Sequence, residues 1–525
     1  MAQVEQKTEH IVGIDIGTTS TKAVLFTAAG EVVKECSIGY PLLSPRPDIQ
    51  EQDPEEIYQA VLGSVQLLSE CCAAQMTSVI GLSFSAAMHS LIAVDNNNQP
   101  LTKSITWADR RSAAWVSYLK QNCDARALYT RTGTPIHPMS PLLKLIWLRK
   151  DRPALFEKAA KFISIKAYVL YRWFKQYVVD YSIANATGLF NMQSLDWDEE
   201  ALSLAGVTKA QLAQIVPTTH TLRGMNQMAA DEMGISAETP VVVGSSDGVL
   251  ANLGVGAISS DTVAVTVGTS GAVRAMVDKP RVDEKERLFC YALSEDRWLV
   301  GGAINNGGVV LRWVRDTLAD SEVATAKLLK RDAYDFLTEM AATIPAGSEG
   351  LIFHPFLAGE RAPLWDANAR GSFFGLSLNH TKPHLVRAVL EGIVYNLYSV
   401  SLALQDSVGA ATSIRATGGF AKSPLWRQML ADVFDRTVIF PESTQGSSFG
   451  AAALGLYALG RIDSLDDVPA MVGQTHSHEP IAENVERYKA VLPLYLQLLD
   501  KFAPLYEELA CDELVCGDGA RSQSA

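Results

Sequence analysis

Two stretches about half a chain apart combine the residue types that hold a phosphate. Residues 11–26 read IVGIDIGTTSTKAVLF, and residues 262–277 read TVAVTVGTSGAVRAMV. In each, a run of β-branched and small residues enters a turn of glycine and hydroxyl residues and leaves as a second run, the pattern of a hairpin. In the first turn Gly17 lets the backbone approach a ligand. Successive N–H groups and the hydroxyls of Thr18, Thr19 and Ser20 can converge on one anion, and Lys22 adds positive charge. Asp15 stands where a carboxylate can hold a hard cation directly or through water, so phosphate with Mg²⁺ is the expected ligand. Gly268, Thr269 and Ser270 form the corresponding second turn. Either turn alone reads equally well as an ordinary hairpin with a polar tip. Their repetition predicts a duplicated architecture with one such hairpin per lobe.

A third turn joins a strand pattern to a helical one. The buried-strand pattern Val241–Val243 runs into Gly-Ser-Ser-Asp-Gly and then into a small, apolar helical pattern. This places Ser246 and Asp247 at a strand end near a helix N-terminus. The same residues fit G-x-S-x-G, the nucleophile elbow of hydrolases, a rival that leaves both phosphate-type turns unexplained. Met88 and His89 follow another strand pattern, VIGLSFS, and strand ends of mostly parallel sheets gather ligand sites. The plain alternative is a core Met beside a hydrogen-bonded core His. Trp107, Asp109, Arg110 and Arg111 bring an aromatic face, a carboxylate and two guanidiniums together, which suits a polyol. Arg110 or Arg111 could also clamp a carboxylate through two parallel hydrogen bonds. The plain alternative there is a helix start with surface ion pairs. Gly418 and Gly419 lie between a strand pattern and a helix that Ser423 and Pro424 open. A Gly-Gly turn of this kind lets a flat base or a phosphate approach the backbone. Asn305 to Gly308 opens another helix.

The elements that must position these residues alternate between strands and helices. Asp53-Pro54-Glu55-Glu56 is a helix start with an acidic cap and Pro at the first position, and Ile57, Val61, Val65 and Leu68 form its buried stripe. Residues 139–151, MSPLLKLIWLRKD, predict an amphipathic helix, and residues 383–406 a long one. At 525 residues the chain exceeds one ordinary core. A net charge of −13 argues against a general nucleic-acid binder. Seven cysteines without metal spacing suit a reducing compartment. No apolar run of about 18 residues occurs, so no membrane span is expected, and the polar first ten residues do not read as a signal peptide. The expected location is the cytoplasm. No Gly-Lys-Ser/Thr phosphate loop and no G-x-G-x-x-G occurs, and Pro383 between His380 and His384 rules out a zinc helix.

Four longer stretches make the pattern specific: DIGTTSTK from Asp15, MSPLLKLIWL from Met139, GSFFGLSLNHTKPHLVRAVLEG from Gly371 and GGFAKSPLWRQMLADVF from Gly418. In this order the chain closely resembles the FGGY family of carbohydrate kinases over roughly residues 10 to 500. Asp151 is a small departure, standing where the family usually has Glu, Gln, Asn or His. The resemblance implies an α/β protein of two actin-like (ribonuclease H-like) lobes with a central nucleotide and sugar cleft. The lobes would span residues 10–256, with sugar binding and the first phosphate loop, and 257–500, with nucleotide binding, followed by a mobile tail at 501–525. It implies Asp247 as catalytic base and Asp15 as the residue holding Mg²⁺. ATP would lie against Thr18, Thr19, Ser20, Lys22, Gly268, Thr269, Ser270, Gly308, Gly418, Gly419 and Ser423, with the sugar against Met88, His89, Trp107 and Asp109. Met88-His89 is similar to the xylulose kinases of the family, although Ser90 replaces their usual Gly. The segments 107–112, 185–188 and 359–365 look more like its gluconate kinases. A carboxylate on the substrate would suit Arg110, Arg111 and His89, so D-gluconate is the expected acceptor and D-xylulose the next. The expected partner is that small sugar or sugar acid, with no nucleic acid and no membrane, and with a homodimer as one expected assembly. A non-catalytic nucleotide sensor of the same fold is the reading from a different class.

Overall fold

The computed structural model describes residues 8–441 and 445–511. The chain divides into two units, neither of them continuous in sequence. One holds the residues up to Ser259 with Met276–Val300 and Gln445–Gly473. The other holds Ser260–Ala275, Gly301 to the early 440s, and the residues from Gln474 onward. Two segments beyond residue 257, Met276–Val300 and Gln445–Gly473, thus lie in the first unit. The reason for the second is small side chains. The helix Gly446–Ala458 lies directly against the helix Asp247–Gly254 and the strand His10–Ile16. A Cβ on Gly450 would stand 2.0 Å from Leu250 O, so only glycine permits that approach.

The first unit is built on a six-stranded sheet in the order Thr221–Leu222, Val241–Ser246, Val79–Ala86, His10–Ile16, Ser20–Thr27, Val32–Gly39. The last three form the antiparallel meander that the first hairpin signal predicts, whereas His10–Ile16, Val79–Ala86 and Val241–Ser246 run parallel. Asp15 pairs with Ser85 and Ser85 with Ser245, so the carboxyl ends of three neighbouring strands lie level. These strands are buried along nearly their whole length, which is why they read as almost continuous apolar runs. The helix Pro54–Cys71 buries Ile57, Val61, Val65 and Leu68, with Asp53 capping Glu55 N and Pro54 at its first turn.

The second unit repeats this order. Thr262–Val267 pairs antiparallel with Gly271–Val277 and parallel with Ser413–Thr417; Val438–Pro441 and Gln474–His478 follow on that side. A meander leading into parallel strands in each unit is the ribonuclease H-like, actin-like arrangement. The helix Lys382–Val408 has the length and hydropathy of a membrane span, but 78 % of its most apolar stretch is buried within the protein, as in a core helix.

Two local expectations change. The helix Pro141–Asp151 is not amphipathic: every residue from Pro141 to Leu148 is buried, Lys144 included. The last helix, Ala482–Cys511, continues ten residues past the expected start of a tail, because Tyr506 is buried in a cluster with Phe356 and Leu499. Residues 512–525, the rest of that expected tail, lie outside the described residues.

Candidate active site

The first turn closes through Gly17 N donating to Ser20 O at 3.0 Å, which leaves Thr18 and Thr19 at the tip. Thr18 is braced from two sides: its hydroxyl accepts from Trp107 Nε1 at 3.0 Å and its carbonyl from Gln52 Nε2. Lys22 lies one strand residue beyond Thr21, where its ammonium meets Glu35 at 3.0 Å and Gln445 Oε1 at 2.9 Å. Its charge is therefore shared with a carboxylate on the neighbouring strand. Asp15 accepts from Ser85 Oγ at 2.7 Å; burial pushes its pKa up, opposed by that bond and by Lys22. A half-buried carboxylate with one hydroxyl donor and an ammonium nearby fits a cation ligand. Among the described residues no three His, Cys, Asp or Glu side chains converge on a metal position. Mg²⁺ would thus have to bring most of its ligands with the nucleotide's phosphates and water.

The strand Val241–Ser246 ends in the same row of the sheet, and Asp247 opens the helix Asp247–Gly254. Asp247 is half-buried, and its Oδ1 accepts from Gly248 N at 2.6 Å. Ser246, the rival nucleophile, is fully buried, caps this helix through Val249 N and shares a 2.6 Å hydrogen bond with Ser182 Oγ. Its hydroxyl serves the turn, not an attack on a substrate. Behind the turn Lys166 Nζ donates to Ser245 O at 3.2 Å and pairs with Asp180 at 2.6 Å. Burial pulls Lys166 below its ordinary pKa, while Asp180 and Asp247 oppose the shift.

Near the end of strand Val79–Ala86, Met88 and Trp107 line a pocket with Gly17, Thr18 and Gln52. At about 10 Å³ it is barely the size of one water. His89 is buried and adopts a left-handed backbone, φ 66°, with its Nδ1 2.8 Å from Ala186 O. A non-glycine residue held in that region often marks a functional site. Asp109 is 2 % exposed and receives Gln50 N, Arg111 N and Arg111 Nε. Arg111 also bonds Glu51 at 2.5 Å and lies 4.6 Å from the centre of the Trp147 ring. Burial opposes its charge, yet the two carboxylates hold its pKa above the ordinary value. The Arg111 guanidinium thus bonds Asp109 and Glu51 through its Nε and one terminal nitrogen. Arg110 is exposed and tied to its loop through its own N–H to Asp48 O.

In the second unit Gly268 N donates to Ser270 O, and Gly308 N returns to Gly268 O at 2.7 Å with Val309 N to Thr269 O. The helix Gly308–Leu318 is thereby docked on the second turn. Gly418, at φ 122°, follows the adjacent parallel strand; Ser423 caps the helix Pro424–Phe434 through Trp426 N. Gly268, Thr269, Gly308, Gly419 and Ser423 then line one cavity of about 290 Å³ with Leu311, Tyr334, Phe420 and Trp426. Glycine backbone together with aromatic and apolar side chains suits a planar base with attached phosphates.

Sequence profiles for the FGGY family of carbohydrate kinases match this chain through their N-terminal domain at residues 10–254 and their C-terminal domain at 263–459. This chain belongs to the FGGY family. It is a carbohydrate kinase. A gluconokinase from Bacillus subtilis (strain 168) is 51 % identical over 96 % of this chain and 98 % of its own length. The crystal structure of a gluconate kinase from Lactobacillus acidophilus superposes with a TM-score of 0.90 at 38 % identity, over 96 % of this chain and 100 % of that one. A ligand-bound xylulose kinase structure from the same organism gives the same TM-score and identity over 95 % and 100 %.

For this FGGY kinase the sequence reading missed the residues that act behind the turns. Lys144 and Lys166 each stand alone in an apolar run, PLLKLIWL and SIKAYVL. A lone lysine in a stretch otherwise fit for a core was the available signal, since lysine is almost never fully buried unless paired. Gln52, Ser85 and Asp180 carried no comparable signal.

Proposed function

We propose that this chain transfers the γ-phosphoryl group of ATP to the primary hydroxyl of D-gluconate, giving 6-phospho-D-gluconate and ADP. The observation that carries the mechanism is the placement of Asp247 just past the carboxyl end of the strand Val241–Ser246, two residues beyond Ser245, which shares a sheet row with Asp15 and Ser85. The identity to gluconokinase over nearly the whole chain supports the substrate. The cavity of Gly268, Gly308 and Gly419 would take the nucleotide. Asp247 would accept the hydroxyl proton as the oxygen bonds to the γ-phosphorus and the bond to the β–γ bridging oxygen breaks. Asp15 would hold Mg²⁺, which supplies charge neutralisation at the phosphoryl oxygens.

D-Xylulose is the second reading. A xylulose kinase structure matches as well as a gluconate kinase structure, and Arg111 is engaged with Asp109 and Glu51. ADP release measured with D-gluconate, D-xylulose, L-ribulose, glycerol and no acceptor decides between them. Turnover with gluconate that Asp247→Asn lowers by at least about a hundredfold, without loss of thermal stability, fits the proposal. Preference for xylulose would keep the mechanism and replace the substrate. ADP release independent of acceptor would reject both and favour a nucleotide sensor or motor.

A further inference from the structure

Lys144 Nζ donates to three backbone carbonyls: His89 O at 2.6 Å, Thr106 O at 2.7 Å and Ile105 O at 3.3 Å. An ammonium has three N–H donors, so all are used. The side chain is 1 % exposed, on a helix whose neighbouring positions are Leu142, Leu143, Leu145 and Ile146. A leucine would fill such a place at lower desolvation cost. A lysine is favoured where buried carbonyls need a donor.

The three carbonyls belong to two separate segments. His89 closes the loop after the strand Val79–Ala86, and its left-handed backbone is a conformation that a residue with a Cβ keeps only when its surroundings hold it. Ile105 ends the short strand Ser104–Ile105 and Thr106 follows it, immediately before Trp107. The segments touch through a bridge between Leu91 and Ile105, so Ile105 O serves both Leu91 N and Lys144. Beyond these anchors stand His89, bonded through its ring to Ala186 O, and Trp107, bonded through its indole to Thr18.

We propose that Lys144 is the positioning residue of the sugar end: one buried ammonium that sets the backbone of both loops carrying Met88, His89 and Trp107. This rests on the reading that those loops face the acceptor. Lys144 touches no reacting atom in this scheme. It acts through the loops, so its loss raises the KM for the acceptor and leaves ATP binding, in the second unit's cavity, nearly unchanged. Burial pulls the Lys144 pKa down to about 7, with Asp109 opposing and Arg111 reinforcing the shift. The three carbonyl acceptors stabilise the charged form.

The test is steady-state kinetics of Lys144→Met and Lys144→Gln beside the unaltered chain, with thermal melting of each. The Met variant has no donor and the Gln variant two. The expected result for Lys144→Met is an acceptor KM raised at least about tenfold, with the KM for ATP within about twofold. The Gln variant should lie between, and it carries the test if the Met variant does not fold. Lys144→Ala adds a rescue: n-propylammonium, which restores a donor in the vacated space, should lower the acceptor KM without changing that for ATP. An acceptor KM equal to wild type in the Gln and Met variants overturns the proposal. So does a parallel rise of both KM values that follows the loss of melting temperature and is not reversed by the amine. His89→Ala separates the two levels. If it raises the acceptor KM while the Lys144 variants do not, the positioning role alone fails. If neither His89→Ala nor Trp107→Ala alters any acceptor's KM, the placement of the sugar end fails.

Discussion

Lys166 Nζ lies 2.6 Å from Asp180 Oδ2, with both side chains all but sealed from solvent, at 1 % and 0 % exposure. The pair links three elements to the turn that ends in Asp247. Lys166 holds Ser245 O, and Asp180 caps the helix Tyr181–Asn185, from which Ser182 reaches Ser246 Oγ. Removing one partner leaves an uncompensated buried charge, so Lys166→Met should cost about 3–5 kcal/mol in denaturant unfolding. Asp180→Asn keeps an acceptor for the helix cap and should cost less than Asp180→Ala. The double variant Lys166→Met/Asp180→Asn should be more stable than the sum of the two single losses implies. Strict additivity would mean that the pair is not coupled.

Arg111 should behave as a strut. Arg111→Lys loses the forked bonds to Asp109 and Glu51 and the stack on Trp147, and should lower stability by about 1–3 kcal/mol. The ratio of kcat/KM for gluconate to that for xylulose should shift by less than about threefold, because both acceptors meet the same loop. A loss of more than about tenfold confined to gluconate would instead support Arg111 as a carboxylate clamp.

His354 gives the second unit a pH dependence. Its Nε2 meets Tyr495 O at 3.2 Å and its Nδ1 Ser372 Oγ at 3.2 Å, and it is fully buried. Burial pulls its pKa from 6.5 to about 4, with the Tyr495 bond opposing. Between those values the unfolded chain binds a proton that the folded one excludes, so stability rises with pH there. The His354 contribution is complete above pH 6.5 and is lost as pH falls toward 4. The size is roughly 3 kcal/mol from the shift at about 1.4 kcal/mol per unit. His354→Gln should flatten the unfolding free energy over this window. An unchanged acid slope would show that His354 does not titrate with folding.

Gly418 and Gly419 should respond differently to the same substitution. Gly418 sits at φ 122°, and a Cβ there would be 2.2 Å from Val267 O, whereas a Cβ on Gly419 meets nothing within 4 Å. Gly418→Ala should destabilise by about 1–3 kcal/mol and raise the KM for ATP. Gly419→Ala should leave the melting temperature nearly unchanged and act only on the KM for ATP, the nucleotide proposed for the cavity that Gly419 lines. Equal effects on the melting temperature would contradict this geometry.

Much of the architecture was legible because its signals are local. A β-branched run, a Gly–hydroxyl turn and a second run specify a hairpin over some fifteen neighbouring residues, and both hairpins form. Asp53-Pro54 and Ser423-Pro424 announce their helices by capping chemistry that involves only the next few residues. The commitments of charged side chains were not legible. Nothing local announces that Glu51, 60 residues away, is brought to the Arg111 guanidinium. Nor does anything local announce that Glu35, on the neighbouring strand, pairs with Lys22.

The sequence by itself determined the two turns, the carboxylates Asp15 and Asp247 at strand ends, and the family, since each depends on residue type and short spacing. Only the tertiary structure decided which segments join which unit, and that Gln445–Gly473 returns to the first. It also decided that Lys144 meets a carbonyl 55 residues earlier in the chain. The physical reason is that a buried charge is defined by the partners that surround it, and those partners are assembled by packing rather than by proximity along the chain.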